Sequence, residues 1–246
     1  MNARQQLAAT TPELSEQTLG SIAVQLPGAT AVFRAWKLDF CCNGGVTLLQ
    51  SAANRNLDLN ELLAQLAALE RPDALPDEIT ADALIDHILT RYHDVHREQL
   101  PELVRMARRV EAVHVNNPFV PAGLADLLED IQQEMLDHMA KEENVLFPML
   151  KAGGNPFVAQ PIGMMRNEHI SHGAALDRIN VLTNDATPPP GACNTWRALY
   201  TGIAQFNDDL VNHIHLENNV LFPAFESQVA PARSGCGGGG NGCGCH

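Results

Sequence analysis

No run of 18 apolar residues occurs in this 246-residue chain, so no segment reads as a membrane-spanning helix. Basic clusters are missing too. Sixteen Lys and Arg stand against 29 Asp and Glu, a formal charge of −13, which argues against nucleic acid as a partner. The stretch from Met1 to Gln17 has no apolar secretory core and carries Glu13 and Glu16, so the expectation is a cytoplasmic protein without a signal peptide. Six cysteines are too few for a disulfide scaffold and are unevenly placed: Cys41 and Cys42 adjacent, Cys193 alone, and Cys236, Cys243 and Cys245 near the end. That pattern suits redox or metal chemistry in a reducing compartment. Strand signals are absent from residue 79 onward, and no His-Glu-x-x-His occurs, which argues against zinc hydrolysis.

What is present is one motif written twice. His138-Met-Ala-Lys-Glu142-Glu-Asn-Val-Leu-Phe-Pro148 returns 75 positions later as His213-Ile-His-Leu-Glu217-Asn-Asn-Val-Leu-Phe-Pro223. Residues i and i+4 share a helix face about 6 Å apart, so each copy aims an imidazole and a carboxylate in one direction. Leu124, Leu128, Ile131 and Met135 lead into the first copy, and Leu199, Ile203, Phe206 and Leu210 into the second. Such stripes are the buried seams of bundle helices. A carboxylate in a buried seam needs a partner, and a cation supplies one.

The repeat extends upstream, where Tyr-His93-Asp-Val-His96 is echoed by Glu-His169-Ile-Ser-His172. With turn signals at Asn116-Asn-Pro118, Gly153-Gly-Asn-Pro156 and Thr187-Pro-Pro-Pro190, residues 79–226 read as four helices near 80–114, 122–150, 161–184 and 193–226. The predicted fold class is all-α: an up-down-up-down four-helix bundle made of two copies of a helical hairpin. A small helical domain at 14–70 precedes it. Residues 1–13 are expected to be disordered, 70–78 to form a linker, and the Gly/Cys-rich stretch 227–246 to be a flexible tail, either a bare extension or a transient metal-capturing arm.

One histidine from each helix, His93, His138, His169 and His213, together with Glu142 and Glu217, makes six candidate metal ligands. These exceed one tetrahedral zinc and suit two bridged metals. Imidazole outnumbers carboxylate and precedes it, which points to the hemerythrin-like class, with iron favoured and manganese the lesser option. His114 lies about 31 Å along the same helix from His93 and reaches the site only if the chain reverses at Pro101. His96 and His172, one turn from the ligands, either orient them or complete a metal sphere. His87 and His215 fall off the stripe and are expected in solvent. Glu168 is a candidate proton donor or a plain surface carboxylate. Pro148 and Pro223 are expected to mark a kink or a helix end. Cys41 and Cys42, beside Gly44 and Gly45, are either a redox pair or two small buried residues.

Over about 18–226 the chain resembles the repair-of-iron-centres (RIC) family. The resemblance rests on Phe-Cys-Cys-Asn-Gly-Gly at 40–45, Arg-Tyr-His-Asp-Val-His-Arg-Glu-Gln-Leu-Pro at 91–101, both motifs above, and Glu168-His169. It implies a hemerythrin-like di-iron protein that restores iron–sulfur clusters damaged by nitric oxide or peroxide. It also implies two oxo-bridged iron ions held by His93, His138, His169 and His213 with Glu142 and Glu217 bridging, and damaged or apo iron–sulfur proteins as partners. The alternative is binding, reduction or sensing of nitric oxide or dioxygen at the same site, with Glu168, Cys41 and Cys42 as candidate reactive groups. A homodimer is among the assembly states left open. The Cys-rich tail lies outside the resemblance.

Overall fold

The computed structural model describes residues 14–26, 28–69 and 80–226. The expectations for residues 1–13, for the 70–78 linker and for the 227–246 tail fall outside the described residues. Among those residues every regular element is helical, with one antiparallel bridge between Thr18 and Thr47. None of these helices is long and apolar enough to cross a membrane.

Among the described residues, four short helices make up the N-terminal unit after a helical turn at 14–16: α1 (Leu19–Gln25), α2 (Ala29–Ala35), α3 (Leu48–Arg55) and α4 (Leu59–Ala67). Thr18, Thr47 and Asp58 cap three of them through side-chain oxygens, as their N-cap chemistry dictates. Leu19, Ile22, Phe33, Phe40, Leu48, Leu62 and Leu66 close a core of their own.

Four rods follow. The first joins α5 (Ala81–Ile88), a π-helical turn (Leu89–His93) and α6 (Asp94–Val113). The second joins α7 (Leu124–Lys141), a π turn (Glu142–Leu146) and α8 (Phe147–Lys151). The third is α9 (Ala159–Thr183). The fourth joins α10 (Asn194–Leu216), a π turn (Glu217–Leu221) and α11 (Phe222–Glu226). The first rod packs on the second and fourth, and the third closes against the same two, giving the up-down-up-down bundle. The two predicted stripes are buried throughout, each side chain worth about 2 kcal/mol of transfer from water.

The π turns rule out one of two alternatives, the helix end. Pro148 and Pro223 end no helix; each lies in the helix just beyond a π turn. Proline has no N–H to give the ladder, and the wider turn before it absorbs the extra residue. The result is that Glu142, Leu146, Phe147 and Leu150 all reach the interior. At Pro101 the helix runs through without reversal, so α6 carries His114 away from His93. His114 instead meets the Cys193 sulfur at 3.3 Å and the Trp196 ring.

The N-terminal unit seats on the fourth rod. Arg34 pairs with Asp208 at 2.9 Å and donates to Asn212, and α1 packs on the Glu217–Leu221 turn. This contact buries His215, which is 4 % exposed and not in solvent as expected. Its Nδ1 meets Asn219 at 3.1 Å and its ring meets Phe40 edge-on. A bundle alone would leave that face wet. His87 is exposed.

The seam has no spare volume at Gly44. A Cβ there would lie 2.5 Å from Asn219 Oδ1 and 2.6 Å from the Phe40 carbonyl oxygen. Gly44→Val is therefore expected to destabilise the seam by about 1–3 kcal/mol. Limited proteolysis should then cut within 28–69 before the bundle melts; wild-type protection in the variant would show that the seam yields.

Candidate metal centre

The four predicted histidines and two glutamates converge at mid-bundle, each no more than 1 % exposed. His93 Nε2 faces His213 Nε2 at 3.2 Å, and His138 Nε2 faces His169 Nε2 at 3.2 Å. Each carboxylate reaches one imidazole of both pairs. Glu142 Oε2 lies 3.4 Å from His93 Nε2 and from His138 Nε2. Glu217 lies 3.1 Å from His169 Nε2 through Oε2 and from His213 Nε2 through Oε1. Two four-residue clusters result, sharing both glutamates, with donor atoms mutually within 4.8 Å.

The outer ring nitrogens determine the tautomers. His93 Nδ1 donates to Glu143 Oε1 at 2.7 Å, and His138 Nδ1 to Glu168 Oε2 at 2.8 Å. His169 Nδ1 donates to Asn218 Oδ1 at 2.9 Å, whose amide nitrogen donates to the Cys41 carbonyl. With the proton outside, Nε2 keeps its lone pair inside. Three of the four inner nitrogens thus aim lone pairs into the centre, and one facing pair is lone pair against lone pair.

Such an arrangement is repulsive without a positive charge between the rings. The orphaned atoms agree. Neither oxygen of Glu142 nor Oε2 of Glu217 has a hydrogen-bond partner. Burial, and then the neighbouring Glu217 charge, holds Glu142 well above the usual carboxylate range. Burial also pushes Glu217 up, but His213 and His169 outweigh it and hold it well below. One proton can relieve one carboxylate; a cation in each cluster relieves both and uses the lone pairs. Soft-to-borderline imidazole with bridging carboxylate is a donor set that suits iron.

The repeat also explains the surroundings. Glu143 and Asn218 are repeat partners and perform the same task for His93 and His169. Phe147 stacks on His93 at 5.7 Å and Phe222 on His169 at 6.1 Å, so the Leu-Phe-Pro motif supplies the ring behind each histidine. The repeat breaks opposite Glu168, where Tyr92 stands. Tyr92 stacks on His213 at 5.3 Å and 2° and offers it no acceptor, so His213 Nδ1 is unpartnered. Glu168 is also tied to Lys141 Nζ at 2.6 Å. His96 and His172 are buried one turn from the cluster, and burial depresses them to about 2 and about 3. Sequence reasoning passed over Glu143, Asn218 and Tyr92; their positions next to each ligand were the available signal.

Glu143 also receives Arg97 at 2.6 Å, so it is a held acceptor and not a free surface charge. Replacing it with an apolar residue frees the His93 ring to rotate. Glu143→Leu is expected to weaken metal affinity about 10–100-fold. Competition with a chelator would measure this, and undiminished affinity would show that Phe147 alone orients the ring.

Cys41 and Cys42 lie beside this centre. Cys42 Sγ is 3.6 Å from the His169 carbonyl oxygen, and the two sulfurs are 3.7 Å apart. The hydrogen bond from Cys41 lowers the Cys42 thiol, and that bond together with burial raises Cys41.

Family models match two stretches of the chain. Residues 84–225 match the hemerythrin HHE cation binding domain, and residues 15–70 match a domain of unknown function, DUF542 (ScdA_N). The chain is 51 % identical over 211 residues to the iron-sulfur cluster repair protein YtfE of Dickeya chrysanthemi, covering 85 % of this chain and 96 % of that protein. It is 50 % identical to the iron-sulfur cluster repair protein YtfE of Cronobacter sakazakii over 85 % of this chain and 95 % of that protein. The iron-sulfur cluster repair protein YtfE of Yersinia pseudotuberculosis is 52 % identical over 84 % of this chain and 95 % of that protein.

Proposed function

Because the chain belongs to the hemerythrin HHE cation-binding family, and within it to the iron–sulfur cluster repair proteins, we propose that it restores damaged clusters by supplying iron from the mid-bundle centre. The observation that carries this reading is the pair of imidazole couples spanned by two buried carboxylates, three of whose four oxygens are unpartnered. His93 and His213 would hold one iron ion and His138 and His169 the other, with Glu142 and Glu217 bridging. Bound there, the ions are the cargo, and their charge balances the two carboxylates.

The chain's own residues set how firmly that cargo is kept. Glu143, Glu168 and Asn218 hold three histidines in the ligating tautomer. His213 has no such anchor, so the His93–His213 position is the less firmly oriented of the two. The damaged or apo iron–sulfur protein is the partner in this reading, and stress from nitric oxide or peroxide is the occasion.

The reading is tested by anaerobic incubation of iron-loaded protein with a nitric-oxide-damaged ferredoxin. Recovery of the cluster with matching loss of protein-bound iron is the expected result. Nitrous oxide produced at unchanged iron content would overturn it in favour of nitric oxide reduction at the same site.

A further inference from the structure

The segment after α2 turns back so that three potential ligands meet. Asp39 Oδ1 lies 3.3 Å from Cys41 Sγ, Cys41 Sγ lies 3.7 Å from Cys42 Sγ, and a donor atom from each residue falls within 4.8 Å of the others. The carboxylate is held in place. Its Oδ1 accepts the Cys42 backbone N–H at 2.9 Å and its Oδ2 accepts the Asn43 amide at 2.7 Å.

These distances can be compared with the edges of a coordination polyhedron. Metal–sulfur bonds of ~2.3 Å put two sulfurs ~3.8 Å apart in a tetrahedron, and a sulfur and a carboxylate oxygen ~3.5 Å apart. The two edges at Cys41, 3.7 and 3.3 Å, match that frame, and the third, between Asp39 and Cys42, lies within 4.8 Å. Three protein donors leave the fourth corner free, the arrangement of a site that exchanges its ligand.

Placement adds a direction. Cys41 is 8 % exposed, while Asp39 and Cys42 are half-buried and Asn43 is exposed, so the cluster opens outward. On its inner side Cys42 Sγ touches the His169 carbonyl, and the imidazole of that same residue belongs to the mid-bundle centre. Asn218 bridges the two, accepting from His169 Nδ1 and donating to the Cys41 carbonyl.

We propose that Asp39, Cys41 and Cys42 form a second metal site, taking one thiophilic divalent cation, and that it is the outlet through which iron leaves the bundle. The outlet role rests on the iron-supply reading above; the site itself does not. Binding replaces the S–H contacts: both thiols lose a proton to solvent, two sulfur–metal bonds and one oxygen–metal bond form, and no electron changes hands. A recipient's thiolate or sulfide then takes the free corner and draws the ion away. Thiolate donors suit Fe2+, Zn2+ and Co2+ alike.

Cobalt reports the geometry directly. The test uses the full-length, iron-loaded, reduced chain with Cys236, Cys243 and Cys245 replaced by serine, so that the tail thiols are silent. About one Co2+ per chain should bind with sulfur-to-cobalt charge-transfer absorption and tetrahedral visible bands. The band should vanish in Cys41→Ser/Cys42→Ser, and affinity should fall ~10-fold or more in Asp39→Asn. Circular dichroism and bundle iron content serve as folding controls; should Asp39→Asn fail them, the cysteine pair alone decides. No thiolate band in the parent, or an equal band in the double variant, overturns the site.

Iron transfer to an apo-ferredoxin then tests the outlet. Transfer several-fold slower in Cys41→Ser/Cys42→Ser supports it, and equal rates overturn it. A parent that binds cobalt here yet transfers no iron overturns the iron-supply reading and the outlet with it, while the metal site stands.

Discussion

Glu142→Gln combined with Glu217→Gln should empty both metal positions, and Glu142→Gln alone should leave the apo bundle more stable. Both carboxylates are fully buried, and each reaches into both clusters, so no position survives their loss. In the apo protein Glu142 is a burden: burial and the Glu217 charge hold it well above the usual carboxylate range, whereas His213 and His169 compensate Glu217. Two carboxylates share a buried space with three orphaned oxygens between them. A neutral amide removes the charge and keeps the volume, and relieving a buried uncompensated charge is worth about 1–4 kcal/mol. In a domain of this size that corresponds to an apo melting point higher by roughly 2–4 °C per kcal/mol. Elemental analysis and apo thermal unfolding check the two halves separately. Near-full metal occupancy in the double variant would sink the ligand assignment. A lower apo melting point in Glu142→Gln would show that this carboxylate holds the bundle through contacts other than metal.

The second large effect is acid lability of the apo fold. His96, His172 and His215 are buried and depressed to about 2, 3 and 4, in each case chiefly by desolvation. A group whose folded pKa lies below its unfolded value of 6.5 binds more protons when unfolded between the two. Stability therefore rises with pH through that window and is lost as pH falls below 6.5. Each histidine contributes about 1 kcal/mol between pH 6.5 and 5.5, where its unfolded form goes from half to mostly protonated, so three of them give about 3 kcal/mol. Urea midpoints of the metal-free protein at the two pH values measure it. His215 can be separated from the others. His215→Gln should remove about a third of the slope, because this ring depends on the N-terminal seam and lies away from the inner cluster. An unchanged slope would mean that water reaches the ring in the folded state.

The helices and their inward faces were legible in the chain itself. Within one helix the geometry is local: 100° of turn and 1.5 Å of rise per residue determine that His138 and Glu142 share a face with Leu128, Ile131 and Met135. The 75-residue repeat said that a second hairpin would present His213 and Glu217 in the same way. Four helices, their order and their seams needed nothing more.

Contacts between rods are a different matter. That His93 donates to Glu143, and His169 to Asn218, depends on how far apart the rods sit and how each is rotated. Three π turns add an extra residue where a periodic reading assumes none, and no single residue type announces them, since the turn at Leu89–His93 has no proline close after it. His215 shows the limit most plainly. Its place on the helix is local and points away from the bundle seam, but burial is decided by the N-terminal unit that packs over it. The same docking brings Cys42 to the His169 carbonyl across 127 residues of chain. Local periodicity determines which way a side chain faces; only packing of separate elements determines what it meets.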